Sequence, residues 1–199
     1  MSAERRILAV VGARPNFVKM APVVDALLRR GADVQVVHTG QHYDASLSEA
    51  FLDQLEMPEP AVRLNVGSDT HARQTAAVMV GIEDALLGSR FDAVLAPGDV
   101  NSTLGAAVAA SKLGVPVVHL ESGLRSGDRS MPEEVNRILT DHVSDLMLCH
   151  CDEAVRNLRA EGRPDAVIRL VGNTMIDSLL RLLPAARATG AVRDLGLEP

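Results

Sequence analysis

Short apolar runs of strand length recur along this chain, each followed by a longer stretch whose apolar residues return every three or four positions, and that alternation leaves few folds open. Strands that feed crossover helices of this kind build a parallel sheet with helices on both faces. The runs predict strands over 6–11, 33–38, 92–96, 116–120, 145–149 and 167–171, with a further short strand over 61–64. Helical periodicity predicts helices over 15–30, 45–56, 70–87, 102–113, 132–142, 153–161 and 174–182. Gly31, Gly88 and Gly114 stand where glycine closes a helix in the left-handed conformation. The expected fold is therefore a doubly wound, Rossmann-like α/β domain over 1–183, and the Pro- and Ala-rich stretch 184–199 reads as a linker or tail.

A chain of 199 residues that is 47% hydrophobic and 23% charged can bury one substantial core. Its net charge of -6 gives no general attraction to nucleic acid or to an anionic membrane, so neither is an expected partner. The basic start followed by the apolar run 7–13 has a superficial likeness to a secretory leader, but the run is short and breaks at Arg14–Pro15. No run reaches the ~18 apolar residues of a membrane span, and a cytoplasmic protein is expected. Cys149 and Cys151 flank His150 without a second ligand cluster, which favours reduced structural thiols over zinc. After the first strand, Gly12 is followed by Arg14–Pro15 in place of the glycines of a dinucleotide fingerprint, so no nicotinamide cofactor is expected, nor any other cofactor.

In an open parallel sheet, ligands gather beyond the carboxyl ends of the strands, where helix N-termini present unpaired N–H groups. The polar clusters fall there: Gly12 to Asn16, His38 to His42, Gly98 to Thr103, and Glu121 to Arg125. Arg14 with Lys19 one turn later could hold an anion or pair with an acidic loop. Asp99 could cap the helix that follows or face a ligand, and capping is the better reading for the residue taken singly. Glu121 directly follows an apolar strand, so partial desolvation would make it a better base if no cation compensates. Ser130 and Glu133 have capping-box spacing. The next helix would carry Glu133, Asn136, Arg137 and Thr140 on a polar face, and Val135, Ile138, Leu139, His142 and Val143 on an apolar face against the sheet. Glu133 and Arg137 could equally be a solvated i, i+4 pair.

Taken in order, Gly12-Ala13-Arg14-Pro15, Lys19-Met20-Ala21-Pro22, Gly40-Gln41-His42, Gly98-Asp99 with Asn101-Ser102-Thr103, Glu121 with Gly123-Leu124-Arg125-Ser126, Met131-Pro132-Glu133-Glu134 with Asn136-Arg137, and Gly172-Asn173 with Ile176-Asp177 resemble the motifs of bacterial non-hydrolysing UDP-N-acetylglucosamine 2-epimerases. The resemblance spans almost the whole chain. It implies the N-terminal half of a GT-B fold, with UDP-N-acetylglucosamine as ligand and an absent C-terminal Rossmann-like domain that supplies much of the UDP pocket. A homodimer is compatible with it.

The reaction the resemblance implies is interconversion of UDP-N-acetylglucosamine and UDP-N-acetylmannosamine by elimination and re-addition of UDP. Asp99, Glu121 and Glu133 resemble its acid/base carboxylates. Arg14, Lys19, Arg125, Asn136 and Arg137 match substrate-positioning residues, and Gln41 and His42 match a segment through which some members bind an effector. Three positions depart from the common pattern: Ser122 stands for an alanine, Ala13 for a threonine and Asn16 for a glutamate. The alternatives are a hydrolysing relative, in which water intercepts the eliminated sugar, and a non-catalytic sugar-nucleotide-binding module.

Overall fold

The computed structural model describes residues 5–40, 51–190 and 194–196. Strand β1 (Arg6–Val11) leads through helix α1 (Arg14–Arg29) to β2 (Asp33–His38) and the short β3 (Val62–Arg63). Then come α2 (His71–Gly88), β4 (Ala93–Pro97), α3 (Asn101–Lys112), β5 (Val117–Leu120), α4 (Pro132–Val143), β6 (Leu146–Cys149) and α5 (Asp152–Ala160). A 3-10 turn (Asp165–Val167), β7 (Ile168–Leu170) and α6 (Thr174–Ala188) complete the order. All strand pairs are parallel, in the order β3-β2-β1-β4-β5-β6-β7. The doubly wound sheet expected from the sequence is therefore present, and its order reverses between β1 and β4, where such sheets open a crevice at their carboxyl edge.

Two apolar layers sandwich the sheet because strand side chains alternate between faces. Leu8 and Val10 of β1 pack with Val78 and Ile82 of α2 and with Ala106, Ala107 and Ala110 of α3. Ala9 and Val11 face the other way, onto Phe17, Met20 and Val24 of α1. A smaller cluster of Met147, Cys149, Ala154, Leu158 and Ile168 seats α5 on β6 and β7.

The strands lie within a residue or two of their predicted bounds, and the departures come at helix ends and surfaces. Gly88 is not a left-handed closure: it is the last residue of α2, followed by extended Ser89, whereas Gly31 and Gly114 do take positive φ. The helix predicted over 45–56 falls largely outside the described residues, of which 51–54 are helical. Helix α6 runs to Ala188 rather than stopping at Leu182, with Pro184 inside it. Before the proline the helix is anchored on α1 by Leu182 and by a Ser178 hydroxyl that donates to the Val18 carbonyl at 2.6 Å. Among the described residues no helix is long and apolar enough to cross a membrane.

The faces of α4 are the largest departure from the sequence reading. Its buried residues are polar, Glu134, Asn136, Thr140 and Asp141, whereas Leu139 is exposed. The expected apolar face forms only in part, with Val143 packed on the core, because α4 packs beside α3 at the carboxyl edge, where the neighbouring loops offer hydrogen-bond partners. The Ser130–Glu133 capping box is also absent. Pro132 opens the helix, so Met131 is the N-cap, and the Ser130 hydroxyl turns to Asp128 at 2.7 Å.

Helices α2 and α3 approach so closely that Gly105 has no room for a side chain. A Cβ there would lie 2.9 Å from Val78 Cβ and 3.0 Å from the Thr75 carbonyl oxygen. Gly105→Leu is therefore expected to destabilise the fold by about 1–3 kcal/mol, since overpacking outweighs the gain in helix propensity. Urea unfolding checks this, and an unchanged midpoint would contradict the close approach.

Candidate active site

The carboxyl edge of the sheet is built first by side chains that tie its loops together. Asn16, in the first turn of α1, accepts from the backbone N–H of Ala13 at 2.9 Å and of Gly12 at 3.3 Å, and donates to the Pro97 carbonyl at 3.2 Å. Thr103 donates to the same carbonyl at 2.6 Å, and the Thr39 and Ser102 hydroxyls bond at 2.7 Å. The loops after β1, β2 and β4 thus meet at one place, although they are far apart in the chain.

Two carboxylates stand at the ends of adjacent strands, each with its own cation. Glu121 follows β5 in the left-handed conformation, with φ 67, a region that costs a non-glycine residue about 1–3 kcal/mol. Its side chain forms an ion pair with Lys19 of α1, both partners being mostly buried. Lys19 is thus the compensating cation that the reading of Glu121 as a free base left open. Gly98, with φ 69, makes room for this pair: a Cβ there would lie 3.2 Å from Lys19 Nζ and 3.6 Å from Glu121 Oε2.

Asp99, next along, does not cap the following helix, whose N-cap is Val100. Its carboxylate accepts from Arg137 Nη2 at 2.6 Å, while Arg137 Nη1 bonds Glu134 at 2.8 Å. Arg137 is therefore not in an i, i+4 pair with Glu133. Burial works against the Arg137 charge, but the hydrogen bonds and charges of Asp99 and Glu134 outweigh it and raise its pKa. Burial likewise pushes the Glu134 carboxyl up, yet the Ser126 and Gly127 N–H groups, at 3.0 Å each, and Arg137 hold it below the ordinary value.

Asn136 donates to the Asp99 carbonyl at 2.9 Å and to Asn101 Oδ1 at 3.1 Å. Asn101 in turn donates to Gln74 at 2.8 Å and to His71 Nδ1 at 3.1 Å. This amide chain borders a cleft of about 460 Å³ between α2, α3 and α4.

The structure thus brings Lys19, Asp99, Glu121, Asn136 and Arg137 to one edge. Glu133 is half-buried in the first turn of α4, with no partner among the described residues, and Arg14 is exposed at the start of α1. Arg125 turns inward instead, paired through Nε and Nη2 with Glu161 at 2.6 and 2.7 Å and with Asp141 at 2.8 Å. Gln41 and His42 lie outside the described residues. Cys149 is buried and Cys151 half-buried, both as free thiols, and no group of metal-ligating side chains gathers among the described residues.

His119 and Asp141 carry roles that the sequence reading missed. His119 is fully buried in β5, with Nδ1 2.6 Å from Asp141 Oδ1 and Nε2 2.7 Å from the Gly98 carbonyl oxygen. Asp141 Oδ2 accepts from the Gly123 N–H at 3.0 Å and from Arg125. Burial pushes the Asp141 carboxyl up, but hydrogen bonds and charge from His119 and Arg125 hold it below its ordinary 3.8. A histidine inside an otherwise apolar strand was the available sequence signal, because a buried imidazole needs polar partners.

Comparison with known proteins places the chain in one family. The family model described as UDP-N-acetylglucosamine 2-epimerase matches residues 25–195. A UDP-N-acetylglucosamine 2-epimerase of Methanocaldococcus jannaschii is 40% identical, over 94% of this chain and 51% of the relative. A UDP-2,3-diacetamido-2,3-dideoxy-D-glucuronate 2-epimerase of Pseudomonas aeruginosa is 46% identical, over 94% of this chain and 53% of the relative. The crystal structure of the M. jannaschii UDP-GlcNAc 2-epimerase in complex with UDP-GlcNAc and UDP superimposes with a TM-score of 0.91 at 40% identity, covering 96% of this chain and 52% of that one. The chain spans about half the length of these relatives.

Asp141→Asn leaves His119 and Arg125 without their shared buried anion and is expected to cost about 3–5 kcal/mol at neutral pH. Because the folded-state carboxyl lies below 3.8, the stability from its ionisation is fully present above that value and is lost as the pH falls through the folded pKa. The gap between wild type and variant, followed by urea unfolding from about pH 7 to about pH 3, should narrow in acid. A gap that stays constant would show that Asp141 is not ionised.

Proposed function

This chain belongs to the UDP-N-acetylglucosamine 2-epimerase family, and on that footing we propose that it is the N-terminal half of a non-hydrolysing epimerase that interconverts UDP-N-acetylglucosamine and UDP-N-acetylmannosamine. The domain over 1–183 supplies the acid/base groups, and 184–199 leads towards a second Rossmann-like domain that grips UDP. The observation that carries the reading is the placement of Asp99 and Glu121 side by side at the ends of neighbouring strands, held in position by Arg137 and Lys19.

In this reading a carboxylate removes the C2 proton, the C–H electrons form the C1–C2 double bond, and the bond from C1 to the UDP oxygen breaks with its electrons leaving on UDP. The reverse step adds the UDP oxygen to C1 while a carboxylic acid protonates C2 from the opposite face. Lys19 and Arg14 offset the charge on the departing diphosphate, and Arg137 holds Asp99 in place. Glu133 is the third acid/base group, positioned in the first turn of α4, and no cofactor takes part. Asn136 fixes the Asp99 turn through its backbone. Arg125 acts indirectly, by holding the loop after Glu121. Gln41 and His42 match a segment through which some members bind an effector, and the protein works in the cytoplasm.

The P. aeruginosa relative, at 46% identity, supports a second reading of the substrate, a UDP sugar carrying a second acetamido group and a carboxylate. Comparing kcat/KM for the two sugars decides between them.

With the second half present, Asp99→Asn, Glu121→Gln and Glu133→Gln are each expected to lower kcat about 10²–10⁴-fold without loss of fold. Turnover in deuterated water should place deuterium at C2. Near-normal rates in all three variants would overturn the assignment, and a stoichiometric release of UDP and free sugar would point to hydrolysis. The 199-residue chain alone is expected to leave UDP-N-acetylglucosamine unchanged, because half the cleft would be open to water; turnover by the chain alone would contradict this.

A further inference from the structure

We infer that His119 is a charged positioning residue, an imidazolium clamped between the Asp141 carboxylate and the Gly98 carbonyl, which fixes the turn carrying Asp99 to the turn carrying Glu121. The hydrogen-bond geometry requires the charge. The Gly98 carbonyl can only accept, so Nε2, 2.7 Å away, bears a proton. On the other side, Nδ1 lies 2.6 Å from Asp141 Oδ1, and the second oxygen of that carboxylate already takes the Gly123 N–H and Arg125. The Arg125 guanidinium and the Gly123 N–H favour the ionised carboxylate, whose Oδ1 can only accept, and Nδ1 then bears a proton as well.

Charge balance points the same way. The group around His119 contains the buried Asp141, the mostly buried Arg125 and the partly exposed Glu161, two anions and one cation, and a charged His119 makes it neutral. The other titratable groups near His119 do not replace it. The Cys149 thiol, against the Ser122 hydroxyl at 3.6 Å, is pushed up by burial, and Lys19 is engaged with Glu121.

The clamp matters for placement because α4 holds the Gly98–Asp99 turn at three points. Arg137 takes the Asp99 carboxylate, Asn136 the Asp99 carbonyl, and Asp141, through His119, the Gly98 carbonyl. The same Asp141 holds Gly123, two residues beyond Glu121. One carboxylate therefore sets the spacing of the two strand ends that bear the candidate acid/base groups. The consequence for turnover rests on the reading under Proposed function, whereas the charge on His119 does not.

Nitrogen-15 NMR of the histidine rings in the 199-residue chain tests the charge, with His119 assigned through its backbone so that no variant need fold. Both ring nitrogens are expected to be protonated at about pH 7. A single protonated nitrogen would overturn the inference. In Asp141→Asn, where the facing group is a neutral amide, the second ring proton should be lost.

For the positioning role, His119→Gln in the two-domain enzyme is expected to lower kcat about 10–100-fold with KM within about threefold, the thermal midpoint being recorded alongside. An unchanged kcat would overturn that role. A wild-type enzyme that does not epimerise while His119 remains doubly protonated would overturn the proposed activity and support the charge assignment.

Discussion

The carboxyl edge of this molecule depends on a carboxylate that has no contact with water. Asp141 sits in a helix, where a charged side chain normally reaches solvent, yet it is wholly buried and fully engaged by His119, Arg125 and the Gly123 N–H. Removing such a charge from water is expensive, and the cost is met only when several donors converge with good geometry. That requirement explains why α4 buries its polar residues. The helix is held against the strand ends by hydrogen bonds and ion pairs rather than by an apolar stripe.

The same logic runs outward from Asp141 to the chemistry. Parallel strands end with their carbonyls at one edge, and the turns that leave them need partners for backbone groups. Here those partners are side chains of α1 and α4, Asn16 on the loops after β1 and β4, and Asn136 on the Asp99 turn. Turns secured in this way can hold unusual conformations, and Glu121 in the left-handed region is one. Its backbone N–H is kept by the Leu148 carbonyl at 3.0 Å, so the strain is balanced by a strand two elements away in sequence. A carboxylate held by a strained but anchored backbone is fixed in position by the fold itself.

The residues that share the edge divide by their partners. Lys19, Asp99, Glu121 and Arg137 pair with one another across elements at the strand ends. Arg125, which the sequence motif placed beside the substrate-positioning groups and which is as buried as Lys19 and Arg137, pairs instead with Asp141 and Glu161. Its planar guanidinium meets Glu161 with two parallel hydrogen bonds, a geometry that lysine could not reproduce. A motif residue can thus serve a site by shaping the loop that carries a neighbour.

Much of this protein was legible from its residues alone, and the limits of that legibility have a physical cause. Strand and helix bounds, the parallel class and the gathering of polar clusters at one edge follow from local periodicity and turn chemistry, which neighbouring residues decide between themselves. The faces of α4, the N-cap of α3 and the length of α6 did not follow, because each depends on what packs against it. The same holds for the charges: that Asp99, Glu121, Lys19 and Arg137 lie near one edge was readable from their positions after strands and early in helices. Their pairing was not. Lys19 meets Glu121 across 102 residues of sequence and Arg137 meets Asp99 across 38, and contacts between distant segments exist only once the sheet has set its strand order.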